Sequence, residues 1–143
     1  METYYPLFYI FFSVAIAVFS IVAVFKLRNS KSEMEASLTG IWVNDSQTMR
    51  ILMHHFDTIF QGDVIWVNSD KPNQPNILGA KLIKDLELKQ LFQGSAGIYV
   101  DLESGLELPF RLWFNGKGRL KFDIIERVDG KDKVVKVEKW FRI

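Results

Sequence analysis

The segment that most constrains this chain is an apolar run near its N-terminus. From Pro6 to Phe25, 20 residues pass without a charged side chain. As an α-helix with a rise of ~1.5 Å per residue they span ~30 Å, about the thickness of the hydrocarbon core of a bilayer. Thirteen of them are Leu, Ile, Val or Phe, and at roughly −0.3 to −0.6 kcal/mol each they favour insertion by about 4 to 8 kcal/mol. Residues 1–27 are therefore predicted to be a single transmembrane helix in a lipid bilayer.

A cleaved signal peptide is the main alternative for such a run. It needs a positively charged start, a shorter apolar core of ~7–15 residues and a small-x-small cleavage site. Here the start carries Glu2 and neither Lys nor Arg, and the triplet Ala15-Ile16-Ala17 lies in the middle of the run. A retained anchor is the favoured interpretation, and a buried helix of a soluble domain is the third.

The two flanks of the apolar run differ in charge, and the difference predicts an orientation. Lys26, Arg28 and Lys31 follow the run, whereas Glu2 and the α-amino group precede it. Flanks rich in Lys and Arg stay in the cytoplasm. The charge count therefore predicts an external N-terminus and a cytoplasmic C-terminal domain. Three tyrosines at the other flank suit an interfacial aromatic belt, and they are Tyr4, Tyr5 and Tyr9.

Small residues form a stripe on the predicted membrane helix. Ser13, Ala17 and Ser20 are spaced by four and three residues, so they share one helix face. Helices in lipid associate where small residues permit close backbone approach. The stripe is predicted to be a helix-packing surface, for the helix of another membrane protein or for a second copy of this chain. A plain lipid-facing anchor with chance small residues is the alternative.

The polar segment 28–37 is predicted to be a tether, and the spacing of apolar residues changes after it. Ser32 with Glu35 fits a capping box, which predicts a short helical turn before the next domain. Residues 38–143 show an apolar period of two, typical of half-buried strands. Strands are predicted at 39–44, 49–56, 59–67, 80–86, 97–102, 106–114, 119–124 and 133–141, with hairpin turns at 115–118 and 129–130. Pro109 predicts a local edge or bulge in its strand.

About eight sequential antiparallel strands with short turns predict an all-β, up-and-down barrel for residues 38–143, with a strongly bent meander as the alternative. Its predicted inward residues on two strands are bulky and apolar, and they are Leu106, Leu108, Phe110, Leu112, Phe114, Leu120, Phe122 and Ile124. The interior of an eight-stranded barrel either fills with side chains or holds one small ligand. These bulky residues, and the lack of a helical lid within 38–143, favour a filled barrel.

Residue types narrow the chemistry. There is no cysteine, which excludes a disulfide framework, a thiolate metal site and a thiol nucleophile. Lys+Arg (18) and Asp+Glu (17) nearly cancel, which argues against a nucleic-acid partner. His54 and His55 are adjacent, so on a strand they point to opposite faces and are poorly placed to share one metal ion. Asp101 and Glu103 flank a Ser-Gly turn, where solvated acids are common. We predict no catalytic residue, metal site or cofactor.

Several short motifs carry a family resemblance over residues 38–143. The opening Gly40-Ile41-Trp42 and the closing Trp140-Phe141-Arg142 resemble the lipocalin and fatty-acid-binding-protein superfamily, with its calycin-like barrels. More closely, the region resembles the bacterial domain-of-unknown-function family 2147. The remaining motifs of that resemblance are Gln61-Gly62-Asp63-Val64-Ile65-Trp66, Ile77-Leu78-Gly79 with Leu82-Ile83, Gly97-Ile98-Tyr99-Val100-Asp101 with Ser104-Gly105, and Gly118-Arg119-Leu120-Lys121.

The resemblance implies a small lipocalin-like barrel without known catalytic residues, in which Trp42 closes the barrel base and Arg142 packs across it. A cation–π contact of this kind is worth ~0.5–2 kcal/mol; a ligand-binding role for the pair is the alternative. Two details depart from the family, namely Val100-Asp101-Leu102 in place of its Asp-Pro and Glu126-Arg127-Val128-Asp129-Gly130 in place of its glycine-rich turn. Members are typically exported, which implies a periplasmic barrel, opposite to the charge count.

Two functions follow as expectations. The first is a non-catalytic, membrane-anchored module, an accessory or structural subunit of a bacterial inner-membrane protein complex. The second is a membrane-tethered binder of a small apolar molecule or lipid. A continuous apolar cavity of ~300 Å³ or more favours the binder. A filled core with exposed apolar side chains favours the subunit.

Overall fold

The computed structural model describes residues 5–68, 76–89, 95–114 and 117–143, apart from the side chains of 5–8 and 29–31. The chain divides into two compact units, Met1–Glu33 and Met34–Ile143. The predicted residues Tyr4, Asn115 and Gly116, and the loop positions 69–75, lie outside the described residues, as do the side chains of Tyr5 and Lys31.

One long helix, α1, covers Tyr5–Leu38. By length and composition this helix can cross a membrane. None of the described side chains in its apolar part is buried. The predicted tether at 28–37 is helical too, and Ser32 lies inside α1 rather than at its start. The segment holds no Pro or Gly that would interrupt a helix, and the first glycine after it is Gly40, whose φ of +136° suits few other residues.

The second unit is a closed barrel of eight antiparallel strands in sequence order, which confirms the predicted fold class. The strands are β1 (Gly40–Asn44), β2 (Met49–Phe56), β3 (Ile59–Val67), β4 (Lys81–Glu87), β5 (Ser95–Val100), β6 (Glu107–Phe114), β7 (Arg119–Val128) and β8 (Lys131–Arg142). Asp129 and Gly130 join β7 to β8 with φ values of 52° and 73°, as a tight hairpin turn requires.

The barrel core is filled by side chains from every strand. Its largest fully buried members are Trp42, Trp140, Phe60, Phe110 and Phe122. The rings of Phe110 and Phe122 lie 5.2 Å apart, and those of Phe122 and Trp140 lie 5.9 Å apart. Gly97 shows how tight the packing is, since a Cβ there would lie 2.7 Å from the Phe110 ring and 3.0 Å from the Leu86 backbone.

The predicted strand at 106–114 differs from the structure at Leu106, whereas the local edge predicted at Pro109 is found. Leu106, predicted to point inward, precedes β6 and is 55% exposed. It lies after the turn that includes Gly105, whose φ is 72°, so the strand alternation does not reach it. Pro109 pairs with Ile98 of β5, and the β6–β7 ladder begins only at Phe110. Proline therefore stands where β6 has a neighbour on one side.

Candidate functional site

The structure brings the predicted plug residues together at one end of the barrel. Trp42 and Arg142 are directly opposite in the β1–β8 ladder. The guanidinium carbon of Arg142 lies 5.8 Å from the centre of the Trp42 ring, and Trp42 is fully buried. This end, where β1 begins and β8 finishes, is called the helix end below.

The same two residues also bind the last turn of α1. The Trp42 indole N–H donates to the Leu38 carbonyl at 2.8 Å. Arg142 donates to the Thr39 carbonyl at 2.9 Å and to the Ser37 carbonyl. The last carbonyls of a helix have no partner within the helix, so these bonds satisfy groups that would otherwise need water. These bonds could not be predicted from local sequence, because Arg142 and its acceptors are 103 and 105 residues apart.

Apolar contacts reinforce this junction. Leu38 is only 1% exposed and belongs to the barrel core, and Met34 packs against the same core. Both line a cleft of about 10 Å³, which is room for one water molecule, together with Leu88, Lys89, Ser95, Leu112 and Phe114. Met34 and Leu38 thus pack at this end of the barrel, and they belong to the same compact unit as the strands, Met34–Ile143.

A polar cluster faces the interior toward the opposite end. The Tyr99 hydroxyl donates to Glu138 at 2.9 Å, and Lys136 lies 2.8 Å from the same carboxylate oxygen. Lys136 also donates to the Tyr99 hydroxyl at 3.3 Å, and the Trp140 indole N–H donates to the other oxygen of Glu138 at 3.2 Å. These groups come from β5 and β8, so the apolar pattern of β6 and β7 carries no sign of them.

The cluster is internally satisfied, and its ionisation follows from that. Burial and the negative charge of Glu138 raise the pKa of Tyr99, which therefore stays a phenol. Burial by itself would lower the pKa of Lys136, but the hydrogen bond and charge of Glu138, helped by Tyr99, raise it. The cluster thus holds a neutral phenol and a lysine–glutamate ion pair, without a free base or nucleophile.

The two histidines lie apart, as their adjacency predicts. His54 Nε2 lies 2.7 Å from an oxygen of Asp63, whose other oxygen is buried without a hydrogen-bond partner among the described atoms. The His55 ring packs on Phe60 with 5.1 Å between ring centres. In the described part of the chain, no three His, Cys, Asp or Glu side chains meet as they would around a metal ion.

Asp101 stabilises a turn rather than facing a partner carboxylate. Its Oδ1 accepts the backbone N–H of Glu103 at 3.0 Å and that of Ser104 at 3.5 Å. These hydrogen bonds favour the carboxylate and lower the pKa of Asp101, chiefly through the Glu103 N–H. The turn explains why acids flank the Ser-Gly dipeptide.

On the predicted membrane helix, the three stripe residues are all exposed. The Ser13 hydroxyl donates to the Ile10 carbonyl at 2.9 Å, and the Ser20 hydroxyl donates to the Ile16 carbonyl at 2.8 Å. Both hydroxyls are therefore bonded within their own helix. Any packing at Ser13, Ala17 and Ser20 would rest on small side-chain size rather than on these hydroxyls donating across helices.

The feature that sequence reasoning missed is the length of β8. It pairs with β7 along the hairpin, from Lys131 opposite Val128 to Phe141 opposite Arg119. On its other side it pairs with β1 only at Trp140, Phe141 and Arg142. Residues 131–139 of β8, called the free edge below, have no strand on that side in the described pairings.

Two open grooves flank this region on the outer surface. One, of about 570 Å³, lies between the turn residues Asn44–Ser46 and residues 136–139 of β8. The other, of about 470 Å³, is lined by Asp45, Trp113, Phe114, Arg119, Leu120, Lys121, Lys139 and Phe141. The second already holds internal contacts, since Trp113 donates to Asp123 at 2.6 Å and Lys121 lies 3.3 Å from the same carboxylate.

Comparisons of this chain with protein-family models, with curated proteins and with solved structures give no match. The resemblance to family 2147 therefore stays a prediction.

Proposed function

We propose that the chain is a single-pass membrane protein whose barrel is a non-catalytic interaction module, serving as an accessory subunit of a bacterial inner-membrane protein complex. The observation that carries the proposal is the junction at the helix end. Leu38 lies in the barrel core, and Trp42 and Arg142 bind the carbonyls of residues 37–39. Residues 34–38, which follow the apolar run in the same helix, are thus part of the barrel unit.

The packed interior supports this role over ligand carriage. The cleft beside Leu38 and Phe114, at the helix end of the core, has about 10 Å³, whereas ligand pockets have ~300–1,000 Å³. The two grooves of that size are open ones on the outer surface. The aromatic residues that fill the core would have to move to admit a lipid chain. The outer surface, by contrast, exposes apolar side chains on β8, namely Val134, Val135 and Val137.

A non-catalytic role agrees with how the reactive side chains are used. Tyr99, Lys136 and Glu138 bond to one another. His54 contacts Asp63, and Asp101 accepts two backbone N–H groups of its own turn. Each of these contacts is within the fold, so each group contributes to structure.

The decisive test is purification of the full chain in mild detergent, followed by mass spectrometry of the attached proteins and lipids. A stoichiometric membrane protein supports the subunit. A single lipid species with no protein partner supports the alternative, a membrane-tethered binder of an apolar molecule. Ser13→Leu with Ala17→Leu keeps the helix apolar but adds bulk to the stripe. Loss of the partner from this variant assigns the contact to the helix, and retention excludes the stripe.

We further propose that the barrel is cytoplasmic, because Lys26 and Arg28 follow the apolar run. Protease protection in sealed inner-membrane vesicles of known orientation tests this. Digestion of the barrel from the cytoplasmic side agrees with the charge count. Digestion from the periplasmic side overturns it and favours the location implied by the family resemblance.

A further inference from the structure

The backbone of the free edge is oriented toward the missing strand. The Arg142 N–H donates to the Gly118 carbonyl, on the β7 side, at 2.9 Å, whereas the Ile143 N–H donates to Ile41, on the β1 side, at 3.1 Å. The Lys139 carbonyl accepts the Asp45 N–H, also on the β1 side, at 3.0 Å. Backbone groups of an antiparallel strand alternate sides. The N–H and C=O of Val137 therefore point to the side where the described pairings place no strand.

Space for an added strand exists beside these groups. The groove of about 570 Å³ is bounded on one side by residues 136–139 and on the other by Asn44–Ser46. Strands in a sheet lie ~4.7–4.9 Å apart. An extended segment entering the groove would meet the Val137 backbone directly. Toward Lys131 the β7–β8 register shifts by one residue at Val135, so the alternation of backbone groups changes there.

The side chains of the free edge are cations and valines. Its two acids are already paired within the barrel unit, since Asp132 binds Arg111 and Arg127 at 3.2 Å each and Glu138 binds Lys136 at 2.8 Å. Lys131, Lys133 and Lys139 form no ion pair within the described part of the chain. Val134, Val135 and Val137 are 49%, 43% and 50% exposed. The edge therefore offers three lysines without a carboxylate in ion-pair contact, between exposed β-branched side chains, although Glu126 stands opposite Lys133 in β7 and Asp45 adjoins Lys139.

The lysines of the free edge indicate which kind of segment could pair with it. Lysines on an edge strand discourage pairing with another copy of the same edge, because such a pair would concentrate six like charges. An acidic segment would convert the same lysines into attraction, and aliphatic residues in it would cover the valines. Strand addition gives affinity through backbone hydrogen bonds and selectivity through side chains.

We propose that the free edge of β8 binds an extended segment of a partner protein, rich in acidic and aliphatic residues, which adds as a further strand beside Val137. This inference rests on the proposed function, because it names the surface through which the accessory subunit would hold its partner.

The test uses the full chain in phosphatidylcholine nanodiscs and two fluorescent peptides of about nine residues, the length of the free edge: one alternates Glu with Val, the other Lys with Val. We expect the Glu–Val peptide to bind and the Lys–Val peptide not to bind. The bound Glu–Val peptide should slow hydrogen exchange of the Val137 amide. Absence of Glu–Val binding, or equal binding of both peptides, overturns the proposal.

Two pairs of variants assign the binding to the edge. Val137→Pro removes the outward N–H, and we expect binding about tenfold weaker, whereas Val137→Thr keeps the N–H and binds within about twofold of wild type. Lys133→Glu should weaken binding at least about threefold, whereas Lys81→Glu, at an exposed position of β4, leaves it unchanged. Unchanged affinity in Val137→Pro and Lys133→Glu overturns the proposal even if the wild type binds.

The outcome separates this inference from the proposed function. If Val137→Pro, shown by circular dichroism to be folded, retains the membrane-protein partner of the wild type, strand addition is wrong and the accessory role stands. If the wild type holds no protein partner in mild detergent, the proposed function is wrong whatever the peptide does.

Discussion

The two ends of the barrel differ in whether their unpaired backbone groups have hydrogen-bond partners. At the helix end, a chain segment from outside the strands covers the core, and the orphan carbonyls of residues 37–39 find donors in Trp42 and Arg142. At the opposite end, β7 and β8 extend past their neighbours as a two-stranded ribbon, and backbone groups of β8 stay open to an added strand. A barrel that is closed by hydrogen bonds can therefore still have unpaired backbone groups at one end. We expect substitutions at the helix end to change stability and those on the free edge to change binding.

The largest effect is expected at Trp42. Trp42→Ala removes a fully buried indole and its bond to Leu38, and it should lower the free energy of unfolding by about 3–5 kcal/mol. Trp66, on the barrel exterior beside Arg50, is the matched control and should cost only about 1 kcal/mol when replaced by Ala. Urea unfolding of the full chain in detergent, followed by circular dichroism, measures both. Equal losses would show that the helix end is not the tighter region.

Leu38 tests whether the last helical turn belongs to the barrel core. Leu38→Ala should cost about 2–5 kcal/mol, because Leu38 is buried among barrel residues. Leu27→Ala, at an exposed position of α1, should stay within about 0.5 kcal/mol of wild type. The same urea titration serves. A cost at Leu38 no larger than that at Leu27 would contradict the junction.

Two substitutions of Arg142 distinguish the contribution of its hydrogen bonds to stability from that of its charge. Arg142→Ala should cost about 1.5–3 kcal/mol, since the carbonyls of Ser37 and Thr39, at and just after the end of α1, lose a charged donor. Arg142→Lys keeps the charge but loses the planar fork, so it should recover only part of that stability. Thermal unfolding of the three proteins side by side gives the ranking. Full recovery with Lys would assign the effect to charge alone.

Replacing Tyr99 tests how much the polar cluster contributes to stability. Tyr99→Phe should cost about 1 kcal/mol near neutral pH, because Glu138 loses a donor. Burial and Glu138 raise the pKa of Tyr99 above its usual 10.0, and the pKa of Lys136 is raised too. Stability from a raised pKa is complete below the unfolded value and is lost as pH rises toward the folded one.

The wild type should therefore lose stability above about pH 10, and Tyr99→Phe should lose less over the same range. Urea midpoints measured from pH 8 to pH 11 provide the comparison. Parallel curves for the two proteins would show that Tyr99 is not the group that titrates.

The smallest effect is expected on the free edge. Val137→Pro should change the free energy of unfolding by no more than about 0.5 kcal/mol, because the lost N–H faces no strand. Val43→Pro is the matched control, since Val43 has Arg50 opposite on one side and Phe141 on the other. It should cost at least about 1–3 kcal/mol through broken ladder bonds. Similar costs at both valines would show that β8 is paired at Val137.

Strand positions were predictable from the sequence because each depends on nearby residues. Alternation along residues 107–114 and 119–124 is enforced by one buried and one solvated face. Asp129-Gly130 predicts its turn because both residues tolerate positive φ. The polar cluster was not predictable, because Tyr99 lies 39 residues from Glu138 and its partner strand is fixed only by barrel closure.

The sequence by itself determined the apolar helix, the all-β class and the order of the strands, since each follows from local periodicity, turn residues and side-chain hydropathy. Only the tertiary structure decided where the helix ends and the barrel begins. Leu38 becomes a core residue, and Arg142 a helix cap, when β8 returns beside β1. The tertiary structure also decided that β8 extends beyond its pairing with β1. The length of a strand can be predicted from sequence, but the number of residues that pair with a neighbouring strand depends on the register at which the barrel closes.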